Sequence, residues 1–246
     1  MRKLLTIVLT GIIVLGATGC GSDNTNLTTK SQSEVTVSST ENFTDKENKE
    51  EKDDKKISED MSVEELLESA EYGNGRSYTT LGQKYENGDG VEQNYDKALE
   101  YYLLSAEADN ADFKGLRYAA LFYYEGKGVE QDYDKAREYF IKAAEAGDIS
   151  AAYYLGIMYE EGEGVDKDFS EAFNYYEMAV SKVDEYLENE KNNGPDELKK
   201  ALCALARMYE KGLGVEKDTD KAIQYYQYAV DLGWDNVEED IERLSK

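Results

Sequence analysis

A Gly-x-Gly-Val motif occurs four times in this chain, and that recurrence constrains the fold more than any single residue does. The glycine pairs are Gly88/Gly90, Gly126/Gly128, Gly162/Gly164 and Gly212/Gly214, spaced by 38, 36 and 50 residues. Self-similarity at a period of about 20 to 50 residues is the mark of a repeat architecture, in which a motif belongs to the scaffold rather than to one catalytic loop. The basic unit is therefore about 36 residues, and the last interval carries a 14-residue insertion.

The surroundings of each motif repeat as well. Six residues before each valine is a tyrosine: Tyr85, Tyr123, Tyr159 and Tyr209. Three residues before that tyrosine is a small residue: Gly82, Ala120, Gly156 or Ala206. Seven residues after the valine is an alanine: Ala98, Ala136, Ala172 or Ala222. Four further on is an aromatic: Tyr102, Phe140, Tyr176 or Tyr226. Offsets of three and four are helical, so each unit predicts a helix A, a glycine-valine loop and a helix B. The small residues let the two helices approach closely. The first glycine stands where a helix C-cap needs positive φ. The valine is expected to plug the loop into the core. Asn94, Asp132, Asp168 and Asp218 stand at the N-cap of helix B. Neither the calcium-loop pattern nor the phosphate-loop pattern is matched. The loop acids are read as caps and solvated side chains, with no metal and no cofactor implied.

The unit "LGQKYENGDGVEQNYDKALEYYLLSAEA" resembles a Sel1-like repeat, a relative of the tetratricopeptide repeat with a longer interhelix loop. The third unit carries the resemblance best, through Leu155, Gly156, Tyr159, Gly162, Gly164, Val165 and Ala172. Departures are Ala120 and Ala206 in place of glycine, and Asp109 in place of a closing glycine. The resemblance implies an all-α fold, an α-solenoid of stacked antiparallel helix pairs. It also implies an interaction role, with no shared catalytic residues to carry over. The units are placed at about 77–110, 112–148, 149–194 with the insertion, and 196–233. Stacked repeats need capped ends. A capping box, Ser62 with Glu65, marks an N-terminal helix within 61–76. An amphipathic stretch over 235–245, with Val237, Ile241 and Leu244 on one stripe, reads as the C-terminal cap. Trp234 is expected to anchor that junction. The insertion, 181–197, is expected to prolong helix B of the third unit, turn at "NNG" and restart with Pro195 in the first turn of a new helix.

The N-terminus reads separately. Arg2 and Lys3 precede an apolar run from Leu4 to Leu15, too short for the about 20 residues that span a bilayer. Residues 1–19 are therefore an export signal. The following "ATGC" resembles the lipobox of bacterial lipoproteins, with Ala17 where leucine is usual. That resemblance implies a diacylglyceryl group on Cys20 and places the chain on the extracytoplasmic face of a bacterial membrane. Ordinary signal cleavage, giving a secreted protein, is the alternative. Residues 20–60 are rich in Ser, Thr, Asn, Lys and acids, and are expected to be a disordered tether.

The chain has a formal net charge of −25 and no histidine. Such a surface repels phosphate backbones, so nucleic acid is not an expected partner. Without histidine an enzyme would have to run on carboxylates, tyrosine, lysine, serine or Cys203, and Cys203 reads as a small buried apolar residue. Function is sought instead on the groove that the tetratricopeptide resemblance implies. It would be lined by helix-A positions three before, one after and four after the small residue. These include Arg117, Leu121 and Tyr124 in unit two, Tyr153 and Ile157 in unit three, and Arg207 in unit four. Aromatic anchors there would bind an unidentified protein or peptide, and the arginines would pair with its carboxylates. Arg117 and Tyr153 are accordingly expected to serve binding rather than folding. The expected function is a membrane-tethered interaction module. A carboxylate-dependent hydrolase of envelope glycans is the alternative, and it would need two inward-facing carboxylates about 5 to 10 Å apart. Oligomeric state and the type of envelope are not legible in the sequence.

Overall fold

A computed structural model describes residues 57–108, 112–188 and 194–246. The chain divides into two units, Met1–Lys46 and Glu47–Lys246, and the described residues all belong to the second. The expected export signal, Cys20 and nearly all of the expected tether lie outside them. The tether as read from sequence extends to residue 60, yet Ile57 is 4% exposed and packs with Met61, Leu66, Ala70 and Leu81. Folded structure therefore begins by Ile57.

The described residues are helical throughout their regular structure. A short α1 (Val63–Ala70) is followed by four helix pairs. These are α2 (Gly75–Asn87) with α3 (Tyr95–Glu107), and α4 (Phe113–Glu125) with α5 (Tyr133–Glu145). Then come α6 (Ile149–Glu161) with α7 (Phe169–Val180), and, after a short α8 (Val183–Leu187), α9 (Asp196–Lys211) with α10 (Thr219–Asp231). A 3-10 turn (Asp235–Val237) and α11 (Glu238–Leu244) close the series. Each helix packs on its partner and on the next unit, giving the α-solenoid. Among the described residues no helix is long and apolar enough to cross a membrane.

The loop between helices A and B is the same in every unit. The first glycine caps helix A in the left-handed region, with φ of 72°, 69°, 76° and 69° at Gly88, Gly126, Gly162 and Gly212. The N–H of the helix-B cap residue then donates to the carbonyl of the helix-A tyrosine, at 2.8 Å from Asn94 to Tyr85 and 2.9 Å in the other three units. The same cap residues accept backbone N–H groups of helix B through their side chains. The valines add to these bonds in part: all four are half-buried, and Val129 and Val215 pack against the core. The expectation that valine plugs the loop into the core is met in those two units.

The second glycine has a different task. A methyl group at Gly128 would overlap Tyr95, at Gly164 it would overlap Tyr133, and at Gly214 it would run into the backbone of Phe169. Tyr95, Tyr133 and Phe169 are the first residues of helix B in the preceding unit. Each loop thus rests directly on its predecessor. Gly90 has no predecessor, and nothing lies within 4 Å of its missing Cβ. The two ends of the stack are marked by exceptions. Phe122, Met158 and Met208 are at most 2% exposed, whereas unit one has Lys84 at this position, paired with Asp89 at 3.0 Å. At the far end Thr219 stands where the other units start helix B with an aromatic.

Both caps form. Ser62 and Glu65 exchange bonds of 3.0 and 3.2 Å, and Val237 of the C-terminal turn is buried. The insertion differs from expectation. Helix B of unit three ends at Val180 and α8 is a separate turn, because Lys182 leaves the helical region with φ −112° and ψ 20°. Pro195 is not within the first turn; it is the N-cap of α9, in extended backbone. The insertion nonetheless leaves the stack intact, since α7 still packs on α9.

The second-glycine contact can be separated from its backbone conformation. Gly90→Ala should cost about 1 kcal/mol, the penalty for a side chain at positive φ. Gly164→Ala should cost about 1 to 3 kcal/mol more, from overpacking against Tyr133. Urea unfolding of the two variants checks this, and equal losses would refute the inter-unit role.

Candidate functional site

The inner surface is built on a repeated hydrogen-bonded unit. Tyr102, Tyr176 and Tyr226 of helix B donate to a glutamate of helix A: to Glu86 at 2.5 Å, Glu160 at 2.9 Å and Glu210 at 3.5 Å. Each glutamate also receives a cation from the element that follows it. Lys127 reaches Glu86 at 2.6 Å, Arg207 reaches both oxygens of Glu160 at 2.6 and 2.8 Å, and Arg243 reaches Glu210 at 2.7 Å. Unit two has Phe140, which has no hydroxyl, and there Tyr124 replaces the glutamate and donates to Glu163 of the next loop. Burial, reinforced by the neighbouring glutamate, pushes the Tyr102 and Tyr176 hydroxyls far above the usual tyrosine range. They remain donors at any working pH.

Two of the expected binding residues are already engaged. Arg117 does not face a partner's carboxylate. It pairs with Asp148 at 3.1 Å, donates to Ser150 at 3.1 Å and lies over the Tyr118 ring. Asp148 is 3% exposed and caps α6 through the Ala151 N–H. Its carboxyl is raised above the usual carboxylate range by burial, against the lowering pull of Arg117. The reading of Arg117 as a free binding residue is therefore corrected: packing needs it. Arg207 likewise engages Glu160, through one guanidinium nitrogen, while its buried Nε has no partner. Leu121 is half-buried against the core, and Tyr124 meets Tyr133, Phe140 and Tyr154 edge-on.

The remaining predicted residues converge further along. A cleft of about 520 Å³ opens between the third and fourth units and the C-terminal cap. Tyr153, Ile157 and Arg207 line it, and so does Cys203 from the same set of inward positions. Arg117, Leu121 and Tyr124 do not. The cleft also takes in Tyr176, Tyr226, Lys200, Glu161, Trp234 and Asp240. Trp234 is half-buried and belongs to the cleft wall rather than being a fully buried anchor. Lys200 and Asp240 were not singled out by sequence, because both lie outside the repeated offsets. Burial and then the Tyr154, Glu197 and Glu160 charges push the Tyr153 hydroxyl up to about 12. Burial and then Asp240 push the Cys203 thiol up to about 11, which keeps it an unreactive thiol at neutral pH. Both oxygens of Glu160, the buried carboxylate of the cleft, are held by Arg207 and Tyr176, so it is not a free acid. Among the described residues no group of three or more acids and cysteines is placed to hold a metal ion.

A family model described as Sel1 repeat matches residues 77–110, 115–148, 149–184 and 199–234. Among solved structures, the chain is similar to a Sel1 repeat protein from Oxalobacter formigenes, with 28% identity and a TM-score of 0.61, over 75% of this chain and 67% of that one. A protective antigen of uropathogenic Escherichia coli displaying an SLR fold matches at 26% identity and a TM-score of 0.47, over 70% of this chain and 41% of that one. Cysteine rich protein B of Helicobacter pylori matches at 23% identity and a TM-score of 0.43, over 64% of this chain and 98% of that one. No curated protein matches the chain.

The role of Arg117 is open to a direct check. Arg117→Ala leaves Asp148 buried and without its cation, which should cost about 2 to 4 kcal/mol at neutral pH. Because the folded state already raises the Asp148 carboxyl, its ionisation opposes folding as pH rises. The cost of losing Arg117 should therefore shrink when the pH is lowered to about 4, the direction that favours the protonated carboxyl. Thermal melts at both pH values decide it, and an unchanged melting temperature at neutral pH would return Arg117 to the binding surface.

Proposed function

The chain belongs to the Sel1 repeat family, and from that premise we propose that it is a membrane-tethered adaptor that binds a protein or peptide segment in the cleft between its third and fourth repeats. Sel1-like repeats are in general protein–protein interaction modules, which gives the class of function. The observation that carries the location is the cleft itself. It is large enough for several side chains, and it presents Tyr153, Ile157 and Trp234 beside charged groups. Buried aromatic anchors ringed by polar groups are how a small interface concentrates its affinity. A smaller opening of about 150 Å³ at unit one is lined by Glu59, Thr80, Gln83, Lys84, Asn87 and Asp89 and has no aromatic side chain.

The tethering half of the proposal rests on the sequence: an export signal ending at Cys20, followed by a long polar spacer. Two acyl chains at Cys20 would give stable anchoring, where one gives only marginal binding. The spacer would then set the repeats off from the membrane surface.

The two halves are tested separately. A photo-reactive amino acid in place of Ile157 should give a discrete cross-linked product in cells, while the same residue at Met178, exposed on helix B of unit three, should not. Labelling at Met178 alone, or from neither position, refutes the cleft. Cys20→Ser should move the protein from the membrane fraction to the soluble fraction, and unaltered membrane association would refute the anchor.

A further inference from the structure

The charges around the cleft do not balance. Arg207 is taken up by Glu160, and Lys200 leans towards Glu197 at 3.9 Å. Arg243 is shared between Glu210 at 2.7 Å and Asp240 at 2.8 Å. Glu161 is exposed on the rim and makes no ion pair among the described residues. Of the charged side chains that line the cleft, Lys200 and Arg207 are cations and Glu160, Glu161 and Asp240 are carboxylates. With Arg207 on Glu160 and Lys200 turned to Glu197, Glu161 has no cation among the described residues and Asp240 shares Arg243 with Glu210. Beyond the rim, α11 adds exposed Glu238, Glu239 and Glu242.

We propose that the occupant of the cleft is a basic polypeptide segment, in which lysine or arginine side chains alternate with aromatic or branched apolar ones. This rests on the groove reading above and fixes the sign of the partner. A cationic side chain beside Glu161 and Asp240 would supply the charge that Arg243 has to divide. Tyr153 and Trp234, both in the cleft wall, are aromatic side chains of the kind that attract a cation as well as supplying apolar area. The net charge of −25 favours encounter with a basic chain and slows that of an acidic one. The field is felt inside the cleft: after burial, Asp240 is the next cause raising both the Tyr226 hydroxyl, up to about 12, and the Cys203 thiol.

Trp234 is the single tryptophan of the chain, so its fluorescence reports this cleft alone. Full-length protein in detergent is titrated with a heptapeptide alternating lysine with phenylalanine and leucine, and with its counterpart carrying glutamate for every lysine. The basic peptide should shift the Trp234 emission and bind about tenfold or more tightly than the acidic one at low salt. Its affinity should fall by about tenfold between about 50 and 500 mM salt. Glu161→Lys and Asp240→Asn should each weaken it about threefold to tenfold, while Glu92→Lys, an exposed residue in the first loop, should change nothing. Equal or tighter binding of the acidic peptide overturns the inference, and so does an unchanged Trp234 signal with both. Cross-linking at Ile157 keeps the two readings apart: a product with an acidic partner retains the cleft and sinks the charge assignment, whereas no product sinks the cleft.

Discussion

The whole inner surface depends on how closely helix A comes to the ring of helix B. At Gly82 and Gly156 the helix has no side chain, and the rings of Tyr102 and Tyr176 occupy the space a methyl group would need. That approach carries each hydroxyl across to a carboxylate one turn further along helix A. Where the small residue is alanine the arrangement loosens. Tyr226 opposite Ala206 reaches Glu210 only at 3.5 Å, and opposite Ala120 the hydroxyl is absent altogether. The closest tyrosine–glutamate bonds thus occur in the two units whose small residue is glycine.

The carboxylates held in this way explain where the cations go. A glutamate nearly removed from water requires compensation, and the next element provides it through Lys127, Arg207 or Arg243. These three cations are used structurally, between successive elements. The same holds for Arg117, which ties helix A of unit two to the cap of α6 and, through Ser150, to Glu197 of the fourth unit. In a chain this acidic, the result is an inner surface whose unspent charge is negative.

The helices, their caps and the first glycines were legible because they answer to local rules: 3.6-residue periodicity, capping side chains and positive φ. The second glycine was visible as a pattern but not as a contact, since its reason lies one unit away, at Tyr95, Tyr133 and Phe169. Arg117 and Arg207 were misread for the same cause. Their offsets place them on the inner face, but only the fold shows Asp148 and Glu160 opposite them. One clue was available in the sequence. Glutamate stands four residues after the small residue only where helix B carries tyrosine, and tyrosine stands there where helix B carries Phe140. The cleft itself could not be read from the repeat, because Lys200 falls outside the repeated offsets of α9, and Trp234 and Asp240 belong to the turn and cap that follow the last helix pair.

The exceptions at Lys84 and Thr219 make the units unequal as building blocks. Units two and three each offer an aromatic on one side and a bare glycine on the other, so they fit one another's neighbours. The outer side of unit one has a lysine instead of a buried apolar residue, and the outer side of unit four lacks the aromatic that would seat another loop. A gene encoding such an array can lengthen by duplicating its interior without creating an adhesive end. The same substitutions at its margins leave no seat for a further copy of the interior loop contact. Growth from within, with inert termini, is the mode of change this arrangement permits.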